Sequence, residues 1–419
     1  MRRMSFGRVS EWRKFPLSLT ELSIDTTLRC GQSFRWRQIN DEWNCALHGR
    51  VLSLRQDPTH LHYRVTWPGK LEPLSPPPST RRVVKVEDAE GAEDDTEELL
   101  RHYLSLRLDL GSLYEQWSLA DPNFKRRAPK FEGVRILSQD AWETLISFIC
   151  SSNNNIARIS QMVHKLCLHY GPLIGYVGEE AFHDFPPPEA LTGPGVEAHL
   201  RELGFGYRAK YIARTAVMVA QEKPRGWLDS LANPASPNFR PATEAAALPS
   251  ATYKEAHEQL LQLTGVGPKV ADCVCLMGLG WGEAVPVDTH VWQIALRDYK
   301  FAKGKGGKTA TLSKALYDAV GDHFRGLWGE YAGWAHSVLF TADLKAFADR
   351  EPGRVKKEEG QTGAVVIKRE VEVEELVVPT GTKRKARVMV EVKMEEEAAE
   401  AVEAVEAVVK RRRTRSQKT

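Results

Sequence analysis

From Ser33 to Trp67 apolar side chains alternate with polar ones in short runs: Phe34 and Trp36, then Trp43, Cys45 and Leu47, then Val51 and Leu54, then Leu61, Tyr63, Val65 and Trp67. Successive side chains of a strand point to opposite faces, so this period of two predicts an antiparallel meander with one buried and one wet face. Turn formers separate the runs at Asn40-Asp41, His48-Gly49 and Asp57-Pro58. Over 71–95 the chain becomes Pro-rich and then acidic, which predicts an exposed, flexible loop. From Thr96 the period turns helical, with Leu99, Leu100, Tyr103 and Leu104 followed by Leu110, Leu113 and Trp117. Helices are expected from Gln139 to Cys150, Ile156 to Tyr170, Glu197 to Leu203, Arg208 to Gln221, Tyr253 to Leu263, Pro268 to Leu279, Thr289 to Asp298, Thr311 to Gly321 and Gly329 to Leu344. The stretches from Asn233 to Pro249 and from Lys303 to Lys308 read as surface insertions.

The resulting picture is an α+β protein: an N-terminal antiparallel β domain with helices over 1–128, an all-helical domain over 129–350, and a charged tail over 351–419. Its 419 residues leave room for two domains and a tail. The tail contains no aromatic residue and is dominated by Glu, Lys, Val and Arg, so it lacks the means to build a core and is expected to be disordered. Its basic clusters, Lys383-Arg384-Lys385 and Lys410 to Arg413 with Arg415, suggest nuclear import. The first fifteen residues are rich in Arg and free of acids except Glu11, which fits a basic arm and leaves a mitochondrial presequence, and hence a mitochondrial pool, open.

Charge and cysteine usage narrow the classes. With 58 Lys and Arg against 55 Asp and Glu the net charge is +3, so a surface for nucleic acid must be local. The six cysteines form no C-x-x-C pair, which argues against a metal centre and for a reducing compartment. No run approaches the roughly 18 to 20 apolar residues of a bilayer span, so no membrane partner is expected.

The most informative segment is Leu260 to Met277, LLQLTGVGPKVADCVCLM. It reads as a helix, a Thr-Gly-Val-Gly turn, and a second helix opening at Pro268, whose missing N–H suits the first helical position. Gly265 and Gly267 allow a tight turn and close approach to another chain, and the free N–H groups of the second helix bind phosphate without reading a base. Lys269 lies in that helix's first turn, where the dipole opposes a positive charge and favours the neutral, nucleophilic amine. Nineteen residues on, Asp288 in Ala284-Val-Pro-Val-Asp-Thr-His-Val-Trp292 stands ready to cap the next helix. A carboxylate held near such a lysine stabilises cationic character at a sugar C1′ while the amine captures that carbon. A non-catalytic hairpin that only holds DNA remains open at this point; it needs neither Asp288 nor a base pocket.

Five further motifs sharpen the choice: Gly31-Gln-Ser-Phe-Arg-Trp36, Phe148-Ile-Cys-Ser-Ser-Asn-Asn-Asn-Ile-Ala-Arg158, Gly204-Phe-Gly-Tyr-Arg208, Val270-Ala-Asp-Cys273 and Tyr331-Ala-Gly-Trp-Ala335. With the hairpin and the downstream Pro-Val-Asp they resemble the helix-hairpin-helix DNA glycosylases, and among these the eukaryotic 8-oxoguanine DNA glycosylases with AP-lyase activity. The resemblance spans nearly all of residues 12 to 347. It implies a helix-hairpin-helix glycosylase domain and a monomer acting on double-stranded DNA that contains oxidised guanine, with no metal or organic cofactor. Glycosylases for oxidised pyrimidines or alkylated purines are the nearer alternatives; the former lack the Gly31 segment, and the latter generally lack the lysine.

The resemblance assigns Lys269 and Asp288 to catalysis and Gly31, Cys273, Met277, His336 and Phe340 to the base pocket. It gives Asn153, Asn154, Arg158, Tyr207, Arg208, Gly265, Gly267, Val270 and His290 to contacts with DNA and with the orphaned cytosine. One position departs from the pattern: after Trp334-Ala335 the family places a glutamine that reads the Watson–Crick edge, and this chain has His336. Excision is therefore expected to weaken between pH 8 and 5 as His336 protonates. Separately, four apolar-Lys-any-Glu tetrapeptides, centred on Lys85, Lys356, Lys368 and Lys393 in segments expected to be flexible, resemble acceptor sites for a small ubiquitin-like modifier.

Overall fold

The computed structural model of the chain describes residues 7–69, 94–239, 241–301 and 313–350, together with the backbone of 364–374 and 385–395. Met1–Pro352 form one compact unit and Gly353–Thr419 a second. Five strands build the sheet of the first unit: β1 (Arg13–Pro16), β2 (Arg37–Ile39), β3 (Glu42–Leu47), β4 (Arg50–Gln56) and β5 (His60–Thr66). They pair antiparallel in the order β1-β5-β4-β3-β2. The meander is as the alternation predicts, and Arg13–Pro16 adds an edge strand that the pattern did not reveal. Asn40, Asp41 and His48 take positive φ in the two tight turns, consistent with the tolerance of Asn and Asp for this region.

Both faces of β3 and β4 are covered, which corrects the expectation of a wet face there, while β5 keeps one buried and one half-exposed face. Trp43, Cys45, Leu52 and Leu54 pack with Leu99, Leu100 and Tyr103 on one side. On the other, Ala46 and Val51 pack with Ile174 and Phe182 of a second hairpin, β6 (Leu173–Val177) and β7 (Glu180–His183). That face also carries Asn44 and Ser53, buried and joined by a 2.6 Å hydrogen bond from the Ser53 hydroxyl. Small and polar side chains there gave the pattern of a solvated surface.

The helices are α1 (Ile24–Thr27), α2 (Thr96–Tyr103), α3 (Leu110–Ala120), α4 (Pro122–Arg127), α5 (Ala141–Ser151), α6 (Ile156–Tyr170) and α7 (Val196–Glu202). They continue as α8 (Arg208–Val217), α9 (Trp227–Ser230), α10 (Tyr253–Leu260), α11 (Pro268–Met277), α12 (Thr289–Asp298), α13 (Lys314–Trp328) and α14 (Ala332–Asp343). The expected boundaries of α6 and α12 match these, while the long helix expected from Arg208 changes to a π turn over Met218–Glu222. Leu110, Leu113, Trp117 and Phe124 of α3 and α4 belong to the core of the helical lobe. These helices therefore pack with 129–350, although they precede the boundary drawn from sequence. The stretch after Asn233 is more than a surface insertion, because the Phe239 ring packs 5.3 Å from His48 and 5.4 Å from His102 on the sheet lobe.

In the second unit, where the sequence suggests disorder, β8 (Ala364–Glu374) pairs antiparallel with β9 (Lys385–Glu395). Alternating valines at Val371 and Val373 and at Val388, Val390 and Val392 supply the period of two. Lys368 and Lys393 fall within these two strands. Lys85, Lys356, the Lys303 to Lys308 stretch, most of the 71–95 loop and the Lys410 to Arg413 cluster lie outside the described residues.

Candidate active site and nucleic-acid interface

The hairpin forms as its residues dictate. Thr252 and Glu255 close a capping box at the start of α10. Gly265 has φ +81°, and a Cβ there would lie 2.6 Å from the Tyr211 side chain. Gly267 caps α11 with open space around it, and Pro268 opens the helix. Gly265→Ala combines a forbidden backbone region with a clash, and is expected to destabilise the protein by about 1–3 kcal/mol. Urea denaturation reads the loss; an unchanged midpoint would show that the Tyr211 contact does not fix the turn.

Lys269 projects from the first turn of α11, its Nζ 3.4 Å from the Ser151 hydroxyl and 4.7 Å from the centre of the Phe148 ring. Asp288 caps α12: one carboxylate oxygen accepts from the backbone N–H groups of His290 and Val291, each at 2.9 Å. Both side chains line a recess with Gly31, Cys273, Met277, His336 and Phe340, together with Cys30, Gln32, Phe148, Pro286, Ser337 and Thr341. Both also line a wider groove with Asn153, Asn154, Gly267, Val270 and His290. The pair stands where recess and groove meet. Sequence reasoning missed Ser151, Ser152, Thr289, Ser313, Lys314 and Tyr317 in the groove; Ser313-Lys314, at the head of α13, follows a Lys- and Gly-rich run that hints at it.

The wall opposite α11 comes from the sheet lobe. Gly31 has φ +85°, and a Cβ on it would press against Ile156 at 3.0 Å. Its neighbour Gln32 donates to the Arg135 carbonyl at 2.8 Å and accepts from the Leu137 N–H at 3.0 Å. The Gln32 carbonyl accepts from Gln139 at 3.0 Å. Arg35 of the same motif reaches Glu143 of α5 through two hydrogen bonds, at 2.8 and 2.6 Å, and the Ala46 carbonyl at 2.6 Å. The motif is thus largely a fastening between the lobes that leaves Gly31 at the recess.

Burial pushes the Cys273 thiol up to about 11, against the opposing pull of Lys269, so it stays protonated. His336 is 6% exposed, and neither ring nitrogen has a hydrogen-bond partner among the described residues. Burial pulls it down to about 4, with Asp288 opposing and Lys269 assisting. This lowering runs against the acid-sensitivity expected from the sequence, because it favours the neutral imidazole as pH falls from 8.

The residues expected around the orphaned cytosine divide. Asn153 lies in the groove at φ +49°. Asn154 turns inward, donating to the Cys150 carbonyl at 2.9 Å. Arg158 is exposed on α6. Tyr207 is 46% exposed and donates to the Ser152 carbonyl at 3.0 Å. Arg208 is buried, held by the carbonyls of Ser152 and Asn153 and 4.6 Å from the Tyr207 ring. Arg158, Tyr207, Arg208 and Gly265 do not line the groove. Among the described residues no group of three or more His, Cys, Asp or Glu could hold a metal ion, and no helix is long and apolar enough to cross a membrane.

A phosphate-ready hairpin beside a recess holding a lysine and a capping aspartate defines a helix-hairpin-helix base excision DNA repair protein. Residues 146–316 match the HhH-GPD superfamily of such proteins, and residues 14–145 match the N-terminal domain of 8-oxoguanine DNA glycosylase. The N-glycosylase/DNA lyase of Saccharomyces cerevisiae is 36% identical, the match covering 85% of this chain and 93% of that one. N-glycosylase/DNA lyase OGG1 of Arabidopsis thaliana is also 36% identical, over 80% of this chain and 81% of its own. The chain belongs to this N-glycosylase/DNA lyase family and is a bifunctional enzyme. The structure of MBOgg1 in complex with a low affinity DNA ligand is similar at 26% identity and a TM-score of 0.59, covering 81% of this chain and 98% of that one. The apo 8-oxoguanine glycosylase/lyase of Clostridium acetobutylicum shares the fold, with a TM-score of 0.60 at 23% identity, over 81% of this chain and 99% of that one.

Proposed function

We propose that this enzyme excises 8-oxoguanine paired with cytosine in double-stranded DNA and cuts the abasic strand through a Schiff base on Lys269. The observation that carries this reading is the place of Lys269 and Asp288 at the junction of a recess and a groove. A nucleotide swung out of a duplex lying in the groove puts its base in the recess and its sugar beside the lysine. Phosphates meet the free N–H groups at the start of α11, with Gly265, Gly267, Val270 and His290 around them. Cys273 and Phe340 flank the base, and Met277 closes the recess. The Gly31 carbonyl accepts the N7–H that 8-oxoguanine has, and repels the N7 lone pair of ordinary guanine. Asn153, Arg158 and Arg208 take the cytosine and Tyr207 the gap, Arg208 exchanging its carbonyl partners for the base.

In the chemical step the Lys269 amine gives up a proton and bonds to C1′ as the C1′–N9 bond breaks. The base leaves with that electron pair and takes up a proton, while Asp288 stabilises the cationic sugar. Sugar opening gives the imine; loss of a proton from C2′ then expels the 3′ phosphate. No step needs a metal or organic cofactor. The enzyme works as a monomer in the nucleus. Release of free base from 8-oxoguanine opposite each of the four bases, and from an undamaged duplex, tests the proposal. Preference for the cytosine pair is expected; no release from that pair, or equal release from all pairs, overturns it.

His336, neutral, accepts a hydrogen bond from the N1–H or N2–H of the base. The excision ratio of wild type to His336→Gln is therefore expected to stay constant between pH 5 and 8; a ratio that falls with acid would show that the imidazole titrates there. Stability behaves differently. An unfolded histidine takes up a proton near 6.5 and the folded one only near 4, so stability declines as pH falls through this window, by up to about 3 kcal/mol at its foot. His336→Gln is expected to flatten the pH dependence of the denaturation midpoint; an unaltered slope would contradict the burial argument.

A further inference from the structure

Asp272 of α11 is 2% exposed and takes no part in the recess or the groove. Two phenols donate to it: Tyr253 at the head of α10, at 2.7 Å, and Tyr317 of α13 on the other carboxylate oxygen. His257 of α10 approaches the Tyr253-bound oxygen at 3.5 Å. The Tyr317 oxygen in turn accepts the backbone N–H of Val287 at 3.3 Å. Asp272 is one helical turn beyond Lys269, and Val287 directly precedes Asp288. A continuous link of carboxylate, phenol and amide thus runs from the helix that carries the lysine to the residue that introduces the aspartate.

A carboxylate buried among packed helices is a poor source of stability, because its desolvation offsets what its hydrogen bonds contribute. What such bonds supply is direction. The segment from Ala284 to Val287 is buried and belongs to neither α11 nor α12, so no helical hydrogen bond sets its distance from α11. The Tyr317 hydroxyl bridges that gap, and among the described residues it is the one group donating to the lysine helix's carboxylate while accepting from the aspartate's segment. Displacements of about 1 Å between reacting groups lower rates by about 10²-fold.

We propose that Tyr317, oriented by Asp272, is a positioning residue that fixes the spacing between Lys269 and Asp288. This rests on the assignment of those two as the reacting pair. Tyr317→Phe keeps the ring and removes both bonds, and its excision of 8-oxoguanine opposite cytosine is measured at saturating enzyme in single-turnover conditions. The rate is expected to fall at least tenfold, by clearly more than the affinity for a duplex carrying a tetrahydrofuran abasic analogue, since Tyr317 also borders the groove, and with the melting temperature within a few degrees. Asp272→Asn keeps an acceptor oxygen for the phenol and is expected to retain more of the rate than Asp272→Ala. A Tyr317→Phe rate within twofold of wild type overturns the proposal, as does a loss of rate matched by equal losses of affinity and melting temperature. Wild-type excision on the same duplex is a separate control: its absence defeats the functional reading itself, whatever the variant does.

Discussion

Lys269→Gln is expected to lower strand cleavage by about 10³-fold or more and to abolish the complex that borohydride traps between enzyme and 8-oxoguanine DNA. The amide has no lone pair basic enough to bond to C1′, so neither the covalent intermediate nor the imine forms. Its size and polarity still suit the space between Ser151 and Phe148, so DNA affinity should persist. Asp288→Asn should behave differently: the amide oxygen can still cap α12, yet the negative charge facing the sugar is gone, so trapping slows rather than disappears. Borohydride trapping with the three proteins separates the roles. A trapped complex with Lys269→Gln would move the nucleophile elsewhere and end the present assignment.

The second large effect is on stability. Arg35→Met is expected to destabilise the protein by about 3–5 kcal/mol, because it leaves Glu143 buried without its counter-charge. The side chains are 5% and 7% exposed and share two hydrogen bonds; Asp184 lies 3.2 Å from the same guanidinium. Adding Glu143→Leu should recover much of the loss, since a matched apolar pair removes the stranded charge. Urea denaturation of both variants decides the matter. A loss below about 1 kcal/mol for Arg35→Met would mean that water reaches Glu143 and that the seam between the lobes is wetter than its burial indicates.

Local signals carried far here. The turn grammar of Thr264-Gly-Val-Gly-Pro268 and the capping character of Asp288 depend on short stretches of chain, and both elements stand where those stretches place them. The β6–β7 hairpin was invisible because Leu173 to His183 has no clean alternation; it is fixed by packing on Ala46 and Val51, more than a hundred residues earlier. The resemblance gives Arg208 to the orphaned cytosine, but only tertiary structure supplies the carbonyls that bury it. The His336 substitution was legible as a residue change, but its titration depends on burial against α13 and on the charges of Asp288 and Lys269, which no linear pattern encodes. Tyr317 and Asp272 looked like ordinary helical positions for the same reason.

The Gly31 turn is stitched to the Arg135–Gln139 segment, while the facing wall of the recess hangs on α11 and α14. For a chain made from its N-terminus, this sets an order of events. The sheet can pair as soon as β5 has emerged, and the hairpin can grip a phosphate once α11 has formed, but no complete recess exists until Phe340 follows them out of the ribosome. A chain that stops before α14 has the hairpin sequence but not the wall that completes the recess, so grip and choice of base are encoded at different distances along the chain.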